Sequence, residues 1–291
     1  MAEVKGTWDY SGDPKFRILS LGAGVQSSTM ALMADEGAFG PKPDCAIFAD
    51  TGWEPEKVMD HLEWLKSKLS YPVHIVKNHL HSGNIKTDIE NEISSKRGFL
   101  FIPFYAKNSV TGKTSLGPRL CTRNYKITPI NKKIRELVGL KARQRFPRNV
   151  WVEVWVGIST DEMMRIKPSR EKWIKNTWPL IDKKMSRQDC LDWYGGKDYR
   201  TPEKSSCIGC PYHDNTLWHE IKTKSPKEFE EACKIDDMIR HSARNKEYTR
   251  FLHRKGIPLR DVDFEELLKK QKPTEEQLDL FNEECEGMCG V

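Results

Sequence analysis

Three groups of residues in this chain have types and spacings suited to chemistry. The first is Arg17-Ile-Leu-Ser-Leu-Gly-Ala-Gly-Val-Gln-Ser-Ser28. An apolar run meets a turn holding Gly22 and Gly24, and Ser27 and Ser28 then open a helix. Glycines let a backbone approach a phosphate without a Cβ in the way. The first N–H groups of a helix point at an anion from the positive end of its dipole. A tight βα turn with Ser27 as a helix cap is the plainer use of the same residues. The second group is Asp50-Thr51-Gly52, which ends the apolar run Cys45-Ala-Ile-Phe-Ala49. Polar residues at the carboxyl end of a strand fall where open α/β sheets bind ligands. The third is Cys207-Ile-Gly-Cys210, with Cys190 upstream and His213 beyond. A Cys-x-x-Cys turn lets two thiolates share a metal centre. Zinc would take Cys190, Cys207, Cys210 and His213, an iron–sulfur cluster takes four thiolates, and a redox dithiol competes with both.

The surrounding patterns say what must position these groups. Strand, helix, strand, helix and strand are expected from Phe16 to Val76, with the first helix opening near Ser27, the second running from Pro55 to about Leu69 and the third strand at Pro72–Val76. Residues 79–118 are polar apart from Phe99–Phe104 and read as a partly ordered lid or insertion. Thr111-Gly-Lys-Thr114 lacks both the upstream glycine and the preceding strand of a Walker loop, so it is not taken as a phosphate site. Tyr125 to Leu140 is helical, with Ile127, Ile130, Ile134 and Leu137 on one face. Trp151–Ile158 is a strand whose end, from Gly157 through Ser159 and Asp161 to Glu162, is a third polar strand end facing the same crevice, and Arg165 could reach a phosphate there. This alternation argues for an α/β fold with a doubly wound, mainly parallel sheet. The expected units are a nucleotide-binding α/β domain at 15–165 and a smaller helical, cysteine-containing region at 166–291, after a loose arm at 1–14. Helices are expected there at Ser186–Trp193, Asn215–Lys224, Lys227–Arg244 and Asp263–Lys270.

Lys plus Arg exceed Asp plus Glu, 48 against 42, a net charge of +6 that suits a phosphate-rich ligand or nucleic acid without requiring either. Basic clusters at Lys132–Arg135, Lys141–Arg145 and Arg165–Arg170 are singly solvated faces. No apolar run reaches the length of a membrane span, and the start, Met1-Ala-Glu-Val-Lys-Gly6, has no apolar signal core, so the expectation is a cytoplasmic protein without a membrane partner. Of the eight cysteines, Cys45 and Cys233 read as small core residues.

Three elements together carry a family resemblance. Gly22-Ala-Gly-Val-Gln-Ser-Ser28 resembles the Ser-Gly-Gly-x-Asp-Ser loop of the PP-loop ATP pyrophosphatases. Asp50-Thr-Gly52 resembles the second motif of their reductase branch. Arg119-Leu-Cys-Thr-Arg-Asn-Tyr-Lys-Ile-Thr-Pro129 resembles its Arg-x-Cys-Thr-x-x-x-Lys-x-x-Pro element. The chain is most similar to the branch holding phosphoadenosine phosphosulfate (PAPS) reductases and the ATPases of DNA phosphorothioation, over roughly residues 15–215. Gln26 departs from the pattern, standing where the family usually has an acidic residue. An amide can hydrogen-bond a nucleotide but does not bind Mg²⁺ as a carboxylate does, and Mg²⁺ is retained as an optional ion.

The resemblance implies ATP or PAPS across the strand ends, with phosphates on Ser20, Gly22, Gly24, Gln26, Ser27 and Ser28, and Asp50, Thr51 and Gly52 near ribose or adenine; Ser159 and Asp161 complete the crevice. It implies Lys126, Arg119 and Arg165 as cations for the reacting phosphorus. It favours a 4Fe–4S cluster over zinc, on Cys121, Cys190, Cys207 and Cys210. The leading expectation is a PP-loop iron–sulfur sulfurtransferase that adenylylates a nucleotide, tRNA or DNA acceptor before sulfur enters from a sulfur donor. The alternative is a PAPS or sulfonucleotide reductase with Cys285 as nucleophile and a thiol reductant, since Glu284-Cys285 is similar to that branch's C-terminal element while Glu286 and Cys289 depart from it. The third is a non-catalytic nucleotide- or nucleic-acid-binding module.

Overall fold

The computed structural model describes residues 8–79, 81–95 and 100–270. Its strands and helices are β1 (Phe16–Leu21), α1 (Val25–Asp35), β2 (Cys45–Ala49), α2 (Glu56–Lys68), β3 (Val73–Val76), α3 (Ile85–Ser94), β4 (Tyr105–Asn108), β5 (Thr114–Leu116), α4 (Thr128–Leu137), β6 (Val152–Val156), β7 (Ile174–Thr177), α5 (Pro179–Asp182), α6 (Arg187–Asp192), α7 (Asn215–Lys224), α8 (Pro226–Ile239), β8 (Tyr248–Phe251) and α9 (Phe264–Lys270).

Apolar runs such as Cys-Ala-Ile-Phe-Ala in β2 are buried on both faces, the condition under which strands pair in parallel beneath helices. Five strands do so in the order β3-β2-β1-β6-β7, all parallel, with Ile18 opposite Cys45 on one side of β1 and Val154 on the other. The mainly parallel α/β fold is therefore as expected. On one face, α1, α2, α5 and α6 bury Leu21, Met30, Leu62, Leu65 and Leu180. On the other, α4 lays Ile130 and Ile134 against Ile18, Ile47 and Val154. The chain builds outward from β1 through β2 and β3, then returns to the far side of β1 as β6. Between β1 and β6 the strand order reverses, and a crevice opens at the carboxyl ends of these strands.

The sheet continues past residue 165, where the sequence placed a boundary. Ile-Lys-Asn-Thr of β7 is a polar edge strand with one buried residue, and no alternation marks it. The segment expected as a lid carries α3, β4 and β5 instead. A second, antiparallel sheet has the order β5-β4-β8, and its partner β8 arrives only at Tyr248, so local sequence could not reveal the pairing. Trp53, Ile85, Tyr125, Trp218, Phe229 and Phe264 form the core beneath it with α3, α7, α8 and α9. Thr111–Lys113 lies in the β4–β5 turn, where the Asn108 side-chain oxygen accepts from the Val110 and Thr111 N–H groups. The described part of the expected loose arm is tied down: Trp8 donates to the Val150 carbonyl and packs edge-on to Phe146. Among the described residues no helix is long and apolar enough to cross a membrane.

Candidate functional site

The turn after β1 is held in an uncommon backbone shape. Ala23, not a glycine, takes the left-handed conformation, at φ +58°. A side-chain-bearing residue there costs energy and persists only where the surroundings over-determine it. Gly24 is the N-cap of α1 and contributes no side-chain cap, and no acidic residue lies in the first turn. Ser27 does not cap the helix. Its hydroxyl instead accepts from the Gly22 N–H at 3.2 Å, which fixes the turn from inside. Ser28 faces α2, 3.0 Å from Nε2 of the buried His61. Ser20 is buried, and its hydroxyl has no hydrogen-bond partner among the described residues.

Gln26 is fully buried at the switch point and joins three elements. Its amide nitrogen donates to Ser159 Oγ (3.4 Å) and Glu162 Oε2 (3.2 Å), and its oxygen accepts from Arg187 Nη1 (3.1 Å). Arg165 pairs with Glu162 at 2.5 Å, and burial raises the Glu162 carboxyl above its ordinary range against the pull of Arg165. This arrangement gives Gln26 a physical reason. A carboxylate at that position could not donate to Glu162 and would face it with like charge. Asp161 is exposed and accepts the Arg187 backbone N–H at 3.0 Å, in the first turn of α6, which Ser186 caps.

At the end of β2, Asp50 Oδ1 accepts the Gly52 N–H at 2.6 Å and Oδ2 pairs with Lys77 at 2.8 Å. Gly52 has φ +73°, and a Cβ there would stand 2.8 Å from the Asn84 Cα. Thr51 Oγ1 donates to Glu54 Oε1 at 3.0 Å and lies 3.3 Å from Cys207 Sγ. Glu54 is a residue the sequence did not single out. Its side chain is 1% exposed, its Oε1 stands 3.9 Å from Lys126 Nζ, and its Oε2 has no hydrogen-bond partner among the described residues. Lys126 is itself 6% exposed and sits in a π-helical turn, Thr122–Ile127, that leads into α4. Arg187 and Ser205 were also missed. Each lies far from the glycine turn in sequence, and no spacing links them to it.

The cysteine loop reaches both strand ends. Ser205 Oγ donates to the Gly22 carbonyl at 2.5 Å, and the Ile208 N–H donates to the Trp53 carbonyl at 2.9 Å. Cys207 and Cys210 close a turn through a 3.1 Å N–H to carbonyl bond, and Arg119 stands 5.0 Å over the Tyr212 ring just beyond it. The loop thus lies on the crevice side of the sheet. The four cysteines do not converge, however. Cys190 is 0% exposed in the apolar layer around α1, whereas Cys121 borders the separate core of Trp53, Tyr125 and Ile208. His213 Nε2 is engaged by Ser206 Oγ at 2.9 Å, and burial lowers that imidazole to about 3. Among the described residues no group of three or more His, Cys, Asp or Glu side chains stands close enough to hold a metal ion. As placed, the side chains fit neither the expected four-iron cluster nor the zinc alternative. Cys45 and Cys233 are core residues with thiols pushed up to about 12 by burial. Cys285 and Cys289 lie outside the described residues.

A cavity of about 310 Å³ opens beside the start of α1, lined by Val25, Lys57, Arg187, Lys204 and Ser206 among others.

These features define a polar crevice at the switch point of a parallel α/β sheet. No family model and no curated protein matches the chain. Similar solved structures include a phosphoadenylyl-sulfate (PAPS) reductase from Candida auris in a phosphate complex, at 14% identity and a TM-score of 0.41, covering 64% of this chain and 75% of that one. They also include the U34-tRNA thiolase NcsA from Methanococcus maripaludis with its 4Fe–4S cluster, at 14% identity and a TM-score of 0.35, covering 79% of this chain and 73% of that one.

Proposed function

We propose that this chain binds ATP in the crevice and activates a nucleotide or nucleic-acid acceptor by adenylylation, ahead of sulfur insertion. The observation that carries the reading is the start of α1: a helix N-terminus with no side-chain cap, entered through a strained turn at Ala23 and braced by Ser27 and Ser205. Its first-turn N–H groups suit a polyphosphate, and the three-motif resemblance supplies the identity of the nucleotide. An acceptor oxygen attacks the α-phosphorus, and a P–O bond forms as the bond to the bridging oxygen breaks. Pyrophosphate leaves with that electron pair. A hydrosulfide-class nucleophile then forms a bond to the activated centre, AMP leaves, and a proton is released.

Lys126, Arg119 and Arg165 are assigned to the charge that builds on the five-coordinate phosphorus. Glu54 and Glu162 hold the first and third of these in orientation. Thr51 and Glu54 hold Cys207 at the rim of the same crevice.

The test is pyrophosphate release from ATP labelled in its terminal phosphates, with candidate RNA, DNA and nucleotides added. Release that needs an acceptor and is lost on Gly24→Asp supports the reading. ATP binding without release from any acceptor contradicts it. The reductase reading is separated by Cys285→Ser, which would abolish sulfonucleotide reduction and spare pyrophosphate release.

A further inference from the structure

A second cavity, of about 260 Å³, lies between α4 and the loop that leads from β6 to β7. Three cations line it: Arg123 on the turn that carries Lys126, and Lys167 and Arg170 on the loop. Among the described residues none of the three is in an ion pair. The one carboxylate in the wall, Glu171, is engaged by the Trp173 indole N–H at 2.9 Å. Two amides also line it, Asn131 and Asn176, and each has a buried side-chain oxygen that accepts no hydrogen bond among the described residues. An unpaired buried acceptor is costly. The loop is a direct continuation of Ser159–Arg165, and Arg123 is three residues from Lys126.

We propose that this cavity binds the acceptor, as a nucleotide unit whose phosphate meets Arg123, Lys167 and Arg170 and whose base meets the Asn131 amide. Three cations against one carboxylate leave the wall with a net positive charge, which recognises phosphate. The inference rests on the proposed adenylylation, because that reaction requires an acceptor beside the ATP crevice.

The experiment uses the full chain saturated with α,β-methylene ATP, whose own binding is measured first. A fluorescein-labelled single-stranded RNA is titrated in, and CMP is added as competitor. The expected result is RNA binding that weakens at least tenfold in Lys167→Ala/Arg170→Ala, with the salt slope reduced by about 0.7 for each phosphate the variant no longer neutralises. Asn131→Leu is expected to weaken binding with the salt slope unchanged. Melting temperature and α,β-methylene ATP affinity should stay at wild-type values in both variants. Competition by CMP identifies a free nucleotide as the source, and no competition identifies a polynucleotide. Wild-type affinity in the double variant, or no binding of either probe, overturns the proposal. Absent α,β-methylene ATP binding would instead overturn the crevice reading on which it rests.

Discussion

Ser205 Oγ donates to the Gly22 carbonyl oxygen at 2.5 Å, which ties the loop bearing Cys207 and Cys210 to the turn that opens α1. Residues 183 positions apart in the chain thereby share one strand end. The hydrogen bond is buried, so Ser205→Ala leaves an acceptor in the dry interior and should cost about 1–2 kcal/mol. Denaturant melts should show that loss, and ATP affinity should fall with it because the turn loses a brace.

The Gln26 amide serves Glu162 and Arg187 together. Gln26→Glu removes the donor to Glu162 and places two carboxyl groups side by side. The expected outcome is destabilisation of about 1–3 kcal/mol at pH 7, shrinking as pH falls and one carboxyl becomes protonated. Urea melts at pH 7 and pH 5 check both the size and the sign.

Lys126 and Glu54 are a buried pair. Removing one partner strands a charge, and such losses run to about 3 kcal/mol or more. Lys126→Met should therefore unfold at lower denaturant than wild type, and Lys126→Met/Glu54→Gln should recover much of that loss. Pyrophosphate release should stay absent in both, which separates the charge's catalytic use from its structural cost.

Gly209 lies against Trp53, where a Cβ would stand 2.0 Å from Cη2 of the indole. Gly209→Ala must displace the Cys207–Cys210 turn and should cost about 1–3 kcal/mol. A changed tryptophan fluorescence spectrum would register the shift.

Three buried histidines set the acid limit of the fold. Burial lowers His61 and His253 to about 4 and His213 to about 3. A lowered imidazole binds fewer protons folded than unfolded. Its contribution is therefore complete above about pH 6.5 and is lost as pH falls toward 4. The loss is on the order of 3 kcal/mol for each group over that window. Glu162 and Asp236, both raised by burial, act with the opposite sign, since stability falls as pH rises through their native range. His253→Gln, which keeps a donor for Asn215 Oδ1, should flatten the acid limb of stability against pH.

Much of the sheet and the crevice was legible because β1, β2 and β6 are continuous apolar runs ending in polar residues. The signal was local and strong. β7 was not, because an edge strand of Lys, Asn and Thr carries no hydrophobic period. Nor was the β5-β4-β8 sheet, in which β4 and β8 are about 140 residues apart. In the site, Asp50 and Gly52 announced themselves by motif. Glu54 and Arg187 matter through contacts that only folding brings about. Cys190 has the sequence position expected of a ligand but lies in the apolar layer beside α1.

The most direct measurement is equilibrium binding of α,β-methylene ATP to the full chain, compared with Gly24→Asp, by titration calorimetry. Saturable one-to-one binding in the wild type, displaced by ATP and lost in the variant with its melting temperature retained, is the predicted result. No saturable binding, or equal binding by the variant, contradicts an ATP site at the start of α1.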